Sequence, residues 1–114
     1  MNRKVVPAEL AAAVEGAWDL GTSYHIALSR SGKGLHVHQE AQLRLRGRAR
    51  RDDEVDYDPA ARTLHFPGLG AIHRTVVALR WSAPELEYAF SSELSHGKWR
   101  QGVWEKARRA RPQP

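Results

Sequence analysis

His73 is the residue whose chemistry is simplest to state. An imidazole of ordinary pKa, about 6.5, exchanges protons near neutral pH. Alternation along its segment turns it to the same side as Thr75, Val77, Leu79 and Trp81. Tyr24 and Tyr88 point inward by the same parity in their own segments. A phenol beside an imidazole can act as acid and base in turn, the chemistry of an isomerase or cyclase. The bland alternative is a hydrogen-bonded histidine in a filled core.

The same parity gathers a wider set. Trp18, Thr22, Tyr24, Gln39, Tyr57, His73, Thr75, Tyr88, Phe90 and Ser92 share faces with Leu20, Ile26, Val37, Leu43, Leu79 and Trp81. Apolar walls carrying a few polar groups suit a small, largely apolar or amphipathic molecule. The walls supply affinity, and the polar groups fix orientation because leaving them unpaired is costly. Tyr24, Gln39, His73 and Tyr88 are the expected orienting groups. Binding in an enclosed interior is therefore the leading expectation, and catalysis by His73 with Tyr88 or Tyr24 is the first alternative.

Two outward constellations compete with it. His25, His36 and His38 project from the first hairpin, and a His-x-His pair on a strand can hold Zn²⁺ or Cu²⁺. No closed tetrahedral set accompanies them, so surface histidines are expected and no metal or other cofactor. Arg44, Arg46, Arg48 and Arg50 line one outer face. Such a ridge can follow the phosphates of a nucleic acid, or meet an acidic protein or a second copy of the chain. Stacking aromatics are not interleaved there, which counts against single strands.

Composition narrows the classes. The chain has 114 residues, 18 Lys+Arg against 13 Asp+Glu, and no cysteine. That length suits one domain. Disulfides, thiol nucleophiles and thiolate metal sites are excluded, and a reduced, cytoplasmic setting is expected. Apolar runs are too short for a membrane span, and Glu9 interrupts the N-terminal stretch that a secretory signal would need. A net charge of +5 permits anionic partners without requiring them.

The elements that must position these groups are mostly strands. Residues 7–15 predict a short helix, with Pro7 suited to its first position and Gly16 to its end. From Gly16 onward the sequence alternates with period two. A first strand is expected over 17–30 and a second over 35–50, bent near Gly47. Residues 54–57 and 63–66 predict a hairpin across Asp58-Pro59. Further strands are expected at 71–82, at 85–94 with Leu94 inward, and at 99–108, ahead of a frayed tail over 110–114. The facing of the last strand stays open, because Trp99 and Trp104 have opposite parity.

Gly16-Ala17-Trp18 opens the first strand directly after the short helix. This resembles the G-x-W signature of the calycin superfamily, which includes lipocalins, fatty-acid-binding proteins and avidins. The resemblance implies a tryptophan at the base of a barrel, with a basic side chain from the last strand packed across it. Arg108, within Lys106–Arg109, is the expected counterpart. The combined expectation is a mainly β chain, residues 1–114 forming one domain. Its fold is an antiparallel up-and-down barrel of about seven to eight strands over 17–109, calycin-like, with one N-terminal helix.

Overall fold

The computed structural model describes residues 4–43, 47–70, 74–95 and 97–110. Helix α1 spans Ala8–Val14 and buries Ala11 and Val14, which lie on one helical face. Among the described residues eleven strands follow: β1 Gly16–Asp19, β2 Tyr24–Ser31, β3 Gly34–Leu43, β4 Gly47–Glu54, β5 Asp56–Asp58, β6 Thr63–Pro67, β7 Thr75–Ser82, β8 Glu85–Ser95, β9 Lys98–Gln101, β10 Glu105–Lys106 and β11 Arg108–Arg109. Every pairing is antiparallel. No helix among the described residues is long and apolar enough to cross a membrane.

The chain is mainly β, as its alternation predicts, but the ladders form two sheets and not one closed barrel. One sheet has the order β11-β1-β2-β3-β4, and the other β10-β8-β7-β6-β5, with β9 also paired to β8. The chain passes between the sheets at two corners. At the first, the Val55 N–H donates to the Leu35 carbonyl at 2.9 Å before Asp56 pairs with His65. At the second, the Ala107 N–H donates to the Leu86 carbonyl at 2.8 Å before Arg108 pairs with Asp19. Strands β5, β10 and β11, which border these corners, are only three, two and two residues long. Residues 20–23 and 102–104 join no ladder.

Both long strands expected from the sequence are hairpins. Within 17–30 the chain reverses, and Trp18 pairs with Ile26. Within 35–50 it reverses again, and Leu43 pairs with Gly47, whose φ is +71°. The predicted bend near Gly47 is thus a full turn, for which a left-handed glycine is well suited. An odd number of residues separates the last paired positions in each reversal, five between Asp19 and His25 and three between Leu43 and Gly47, so directly paired positions keep the same parity and alternation runs through unbroken. The last expected strand breaks into β9, β10 and β11. Leu94 is corrected from inward to 50% exposed, because a register shift between Glu93 and Ser95 re-aims the end of β8.

The core lies between the sheets. Val14, Leu28, Leu35, Val37, Val55, Leu64, Phe66, Val77, Leu79 and Leu86 are almost wholly removed from solvent. Burying a side chain of this kind contributes roughly 1.5–3 kcal/mol. This packing holds the inner faces together.

Candidate functional site: the seam between the sheets

One end of the core is sealed. The Trp18 indole is buried, and its Nε1–H donates to the Val14 carbonyl at 2.8 Å. The basic residue across it is Arg109, 3.9 Å from the ring centroid, and not the expected Arg108. Register explains the difference: Arg109 pairs with Trp18 and shares its face, whereas Arg108 pairs with Asp19. The Arg109 guanidinium also donates to the Glu15 carbonyl at 2.6 Å and to the Ala13 carbonyl at 3.0 Å. Carbonyls at the end of α1, left without partners inside the helix, are satisfied in this way.

A polar chain crosses the inner face. Gln39 is fully buried and donates through Nε2 to the Pro67 carbonyl at 2.6 Å. Its Oε1 accepts from the Tyr24 hydroxyl, and that hydroxyl accepts from the Leu69 N–H at 2.9 Å. Burial pushes the Tyr24 phenol up to about 12, with the Leu69 N–H opposing the rise. Tyr24 meets Phe90 edge-to-face at 5.1 Å, and Phe90 meets Tyr88 at 5.5 Å. An aromatic series therefore runs from the buried glutamine to Tyr88.

Tyr88 reaches the place where the sheets part. Here a cleft of about 820 Å³ opens between Asp19, Gly21, Thr22 and Arg108 of the first sheet's edge and Glu87, Trp104, Glu105 and Lys106 of the second's. Gly21 has a φ of +91°, and a Cβ there would lie 3.7 Å from the Tyr88 hydroxyl. Glycine at this bend meets the backbone requirement and keeps the lip thin. The Tyr88 hydroxyl donates to Glu105 Oε2 at 2.9 Å. Burial first, and then the Glu105 carboxylate, hold the Tyr88 phenol above its usual range. Arg80 caps the Trp104 indole at 4.2 Å and grips Glu87 through two hydrogen bonds of 2.9 and 3.3 Å. That guanidinium holds the Glu87 carboxyl below its usual range.

The structure divides the sequence-predicted set. Tyr24, Gln39, Tyr88 and Phe90 are brought together in one connected series. Thr22 is corrected from inward to exposed, because residues 20–23 form the bend between β1 and β2; it lines the cleft instead. Trp18 sits at the sealed end, and Thr75 and Ser92 are half-buried partners in the β7–β8 ladder. Tyr57 belongs to a different cleft, with Leu10, Arg62 and Trp81 beside α1. His73 lies outside the described residues. Trp104, Glu105 and Arg108 were absent from the predicted site, since parity could not orient a strand that breaks between sheets.

The outer face of the first sheet is a network of charges. His25 Nδ1 lies 2.5 Å from Asp19 Oδ1, while His36 Nε2 and His38 Nδ1 each lie 2.9 Å from Asp52 Oδ1. His38 Nε2 lies 3.3 Å from Glu40. Contact with Asp52, then Glu40, raises the His38 pKa; His36 first and then His38 lower that of Asp52, and His38 lowers that of Glu40. Among the described residues no group of three or more such side chains is arranged to hold a metal ion. Arg48 and Arg50 are exposed, and both lie near enough to Glu40 to lower its pKa. Arg44 and Arg46 lie outside the described residues. Comparison with known protein families, with curated proteins and with solved structures finds no match to this chain.

Proposed function

We propose that this protein binds a small amphipathic molecule in the cleft where its two sheets part, with Tyr88 as the floor. The carrying observation is the coincidence of an open cleft of about 820 Å³ with a half-shielded aromatic series. Ligand sites are commonly about 300–1,000 Å³ and combine apolar walls with a few placed polar groups. Behind Tyr88, Phe90 and the Gln39-bonded Tyr24 hold the floor in place, and a rigid floor lowers the entropy lost on binding. The leading sequence reading is kept in kind but moved in place, from the packed interior to its lateral opening.

The two sheets are, in this reading, the halves of one flattened barrel of the calycin kind. Support comes from the corners at Val55 and Ala107, where the chain runs from one sheet into the other. It comes also from the pairing of Trp18 with a basic residue of the last strand. The cleft is then the point where the ring is left unlaced.

Two measurements test the binding reading. Native mass spectrometry of protein purified from its own host is expected to reveal a bound small molecule. Titration with 8-anilinonaphthalene-1-sulfonate is expected to give saturable binding that Thr22→Trp, a lip substitution, weakens at least tenfold with the circular dichroism unchanged. No bound molecule, together with equal probe binding by both proteins, would overturn it.

A catalytic version is favoured by one observation, the Tyr88–Glu105 hydrogen bond at the cleft floor. Glu105 would accept a substrate proton, and the Tyr88 hydroxyl would donate to the oxygen on which charge develops. Tyr88→Phe would then reduce turnover by about 10²-fold or more with little change in KM, and a carrier would show no turnover at all.

A further inference from the structure

Five charged side chains line the cleft, and three of them are engaged within the protein. Asp19 is held by His25 at 2.5 Å, Glu87 by Arg80 at 2.9 Å, and Lys106 by Glu85 at 3.1 Å. The two that remain are Glu105 and Arg108. Among the described residues neither has an ion-pair partner, and both are exposed. Glu105 is also fixed in place, since it accepts the Tyr88 hydroxyl through Oε2 and leaves its other oxygen unclaimed. Arg108 is anchored through the backbone ladder opposite Asp19, whose carboxylate is turned to His25. The Tyr88 phenol and the Trp104 indole line the same cleft.

We infer that the ligand is a zwitterion with an apolar tail, its cationic group met by Glu105 and its anionic group by Arg108. This rests on the binding reading given above and names the chemistry of its ligand. An ammonium would bind a localised carboxylate beside the aromatic groups, which add cation–π attraction. A carboxylate or phosphate would find in Arg108 the planar fork of donors that matches its oxygens. A ligand with one charge engages only one of the two protein groups and so gains only one of the two charge-assisted contacts. The alternative source of the same chemistry is the head group of a zwitterionic lipid.

The test compares four probes below their micellar concentrations by isothermal titration calorimetry, with Trp104 fluorescence as a second readout. The probes are 2-aminodecanoic acid, dihexanoylphosphatidylcholine, decylamine and decanoic acid. One of the two zwitterions is expected to bind at least tenfold tighter than either singly charged probe, and which one does so identifies the source as amino acid or lipid. Glu105→Gln is expected to remove the advantage over decanoic acid, and Arg108→Gln the advantage over decylamine. Arg62→Gln, in the cleft beside α1, is expected to change neither. Equal binding of all four probes would overturn the zwitterion inference and leave the binding reading standing. No binding by any probe would overturn both.

Discussion

The Arg109 guanidinium lies 3.9 Å over the Trp18 ring while donating to the carbonyls of Ala13 and Glu15, so one side chain joins the last strand, the first strand and the helix. The two residues are direct partners in the β1–β11 ladder, which sets their facing. Trp18 completes the cluster by donating to Val14. The sealed end of the core is therefore held by groups more than 90 residues apart in the chain, as the Arg109–Glu15 bond spans 94 positions.

Replacing Arg109 with methionine keeps much of the stem but removes two charge-assisted hydrogen bonds and the cation–π contact. The expected loss is about 2 kcal/mol of unfolding free energy. Urea denaturation at neutral pH measures it. A change within about 0.5 kcal/mol, typical of ordinary surface substitutions, would deny the clamp its role.

Gly16→Ala tests the same cluster from beneath. The glycine has a φ of +123°, and a Cβ there would lie 2.6 Å from Arg109 Nη1. Backbone strain and the clash together are expected to cost about 1–3 kcal/mol. In an Arg109→Ala background the clash disappears, so the cost of Gly16→Ala should be smaller there. Additive costs in the double-mutant cycle would show that the two residues do not press on each other.

Tyr24→Phe removes the acceptor for the Leu69 N–H and the donor to Gln39 while keeping the ring against Phe90. Hydrogen exchange at the Leu69 amide is expected to accelerate by roughly tenfold or more, as a lost bond opens the 67–70 loop. In the unsubstituted protein, spectrophotometric titration should show one tyrosine ionising only near pH 12. Unaltered exchange in the variant would mean that other contacts hold the loop.

His38 titrates above its ordinary 6.5 because the Asp52 and Glu40 carboxylates favour its charged form. Its contribution to stability is accordingly complete below 6.5 and disappears as pH rises through the elevated folded-state value. Asp52 and Glu40 titrate below their ordinary 3.8 and 4.5, so their contributions are present above those values and vanish as pH falls through the depressed ones. The outer face is best paired between these limits. In Asp52→Asn the His38 pKa, followed by its ring-proton shifts, should move down toward 6.5; an unmoved titration would assign the elevation elsewhere.

The sequence by itself determined the class of the fold and most of its facing. Alternation after Gly16 placed Trp18, Ile26, Val37, Leu79 and Tyr88 toward a core, and all five are buried. An arginine does lie over the Trp18 indole, but it is Arg109, one position beyond the expected Arg108. Parity could not reveal the reversals between β1 and β2 and between β3 and β4, because a hairpin with an odd connection preserves it. Nor could it orient Trp104, Glu105 and Arg108, which owe their positions to a strand that leaves one sheet and joins the other. The cleft was decided only by tertiary structure. It lies between β1 and β11 of one sheet and β8 and β10 of the other, and which strands border one another there depends on contacts between distant segments, to which side-chain periodicity is blind.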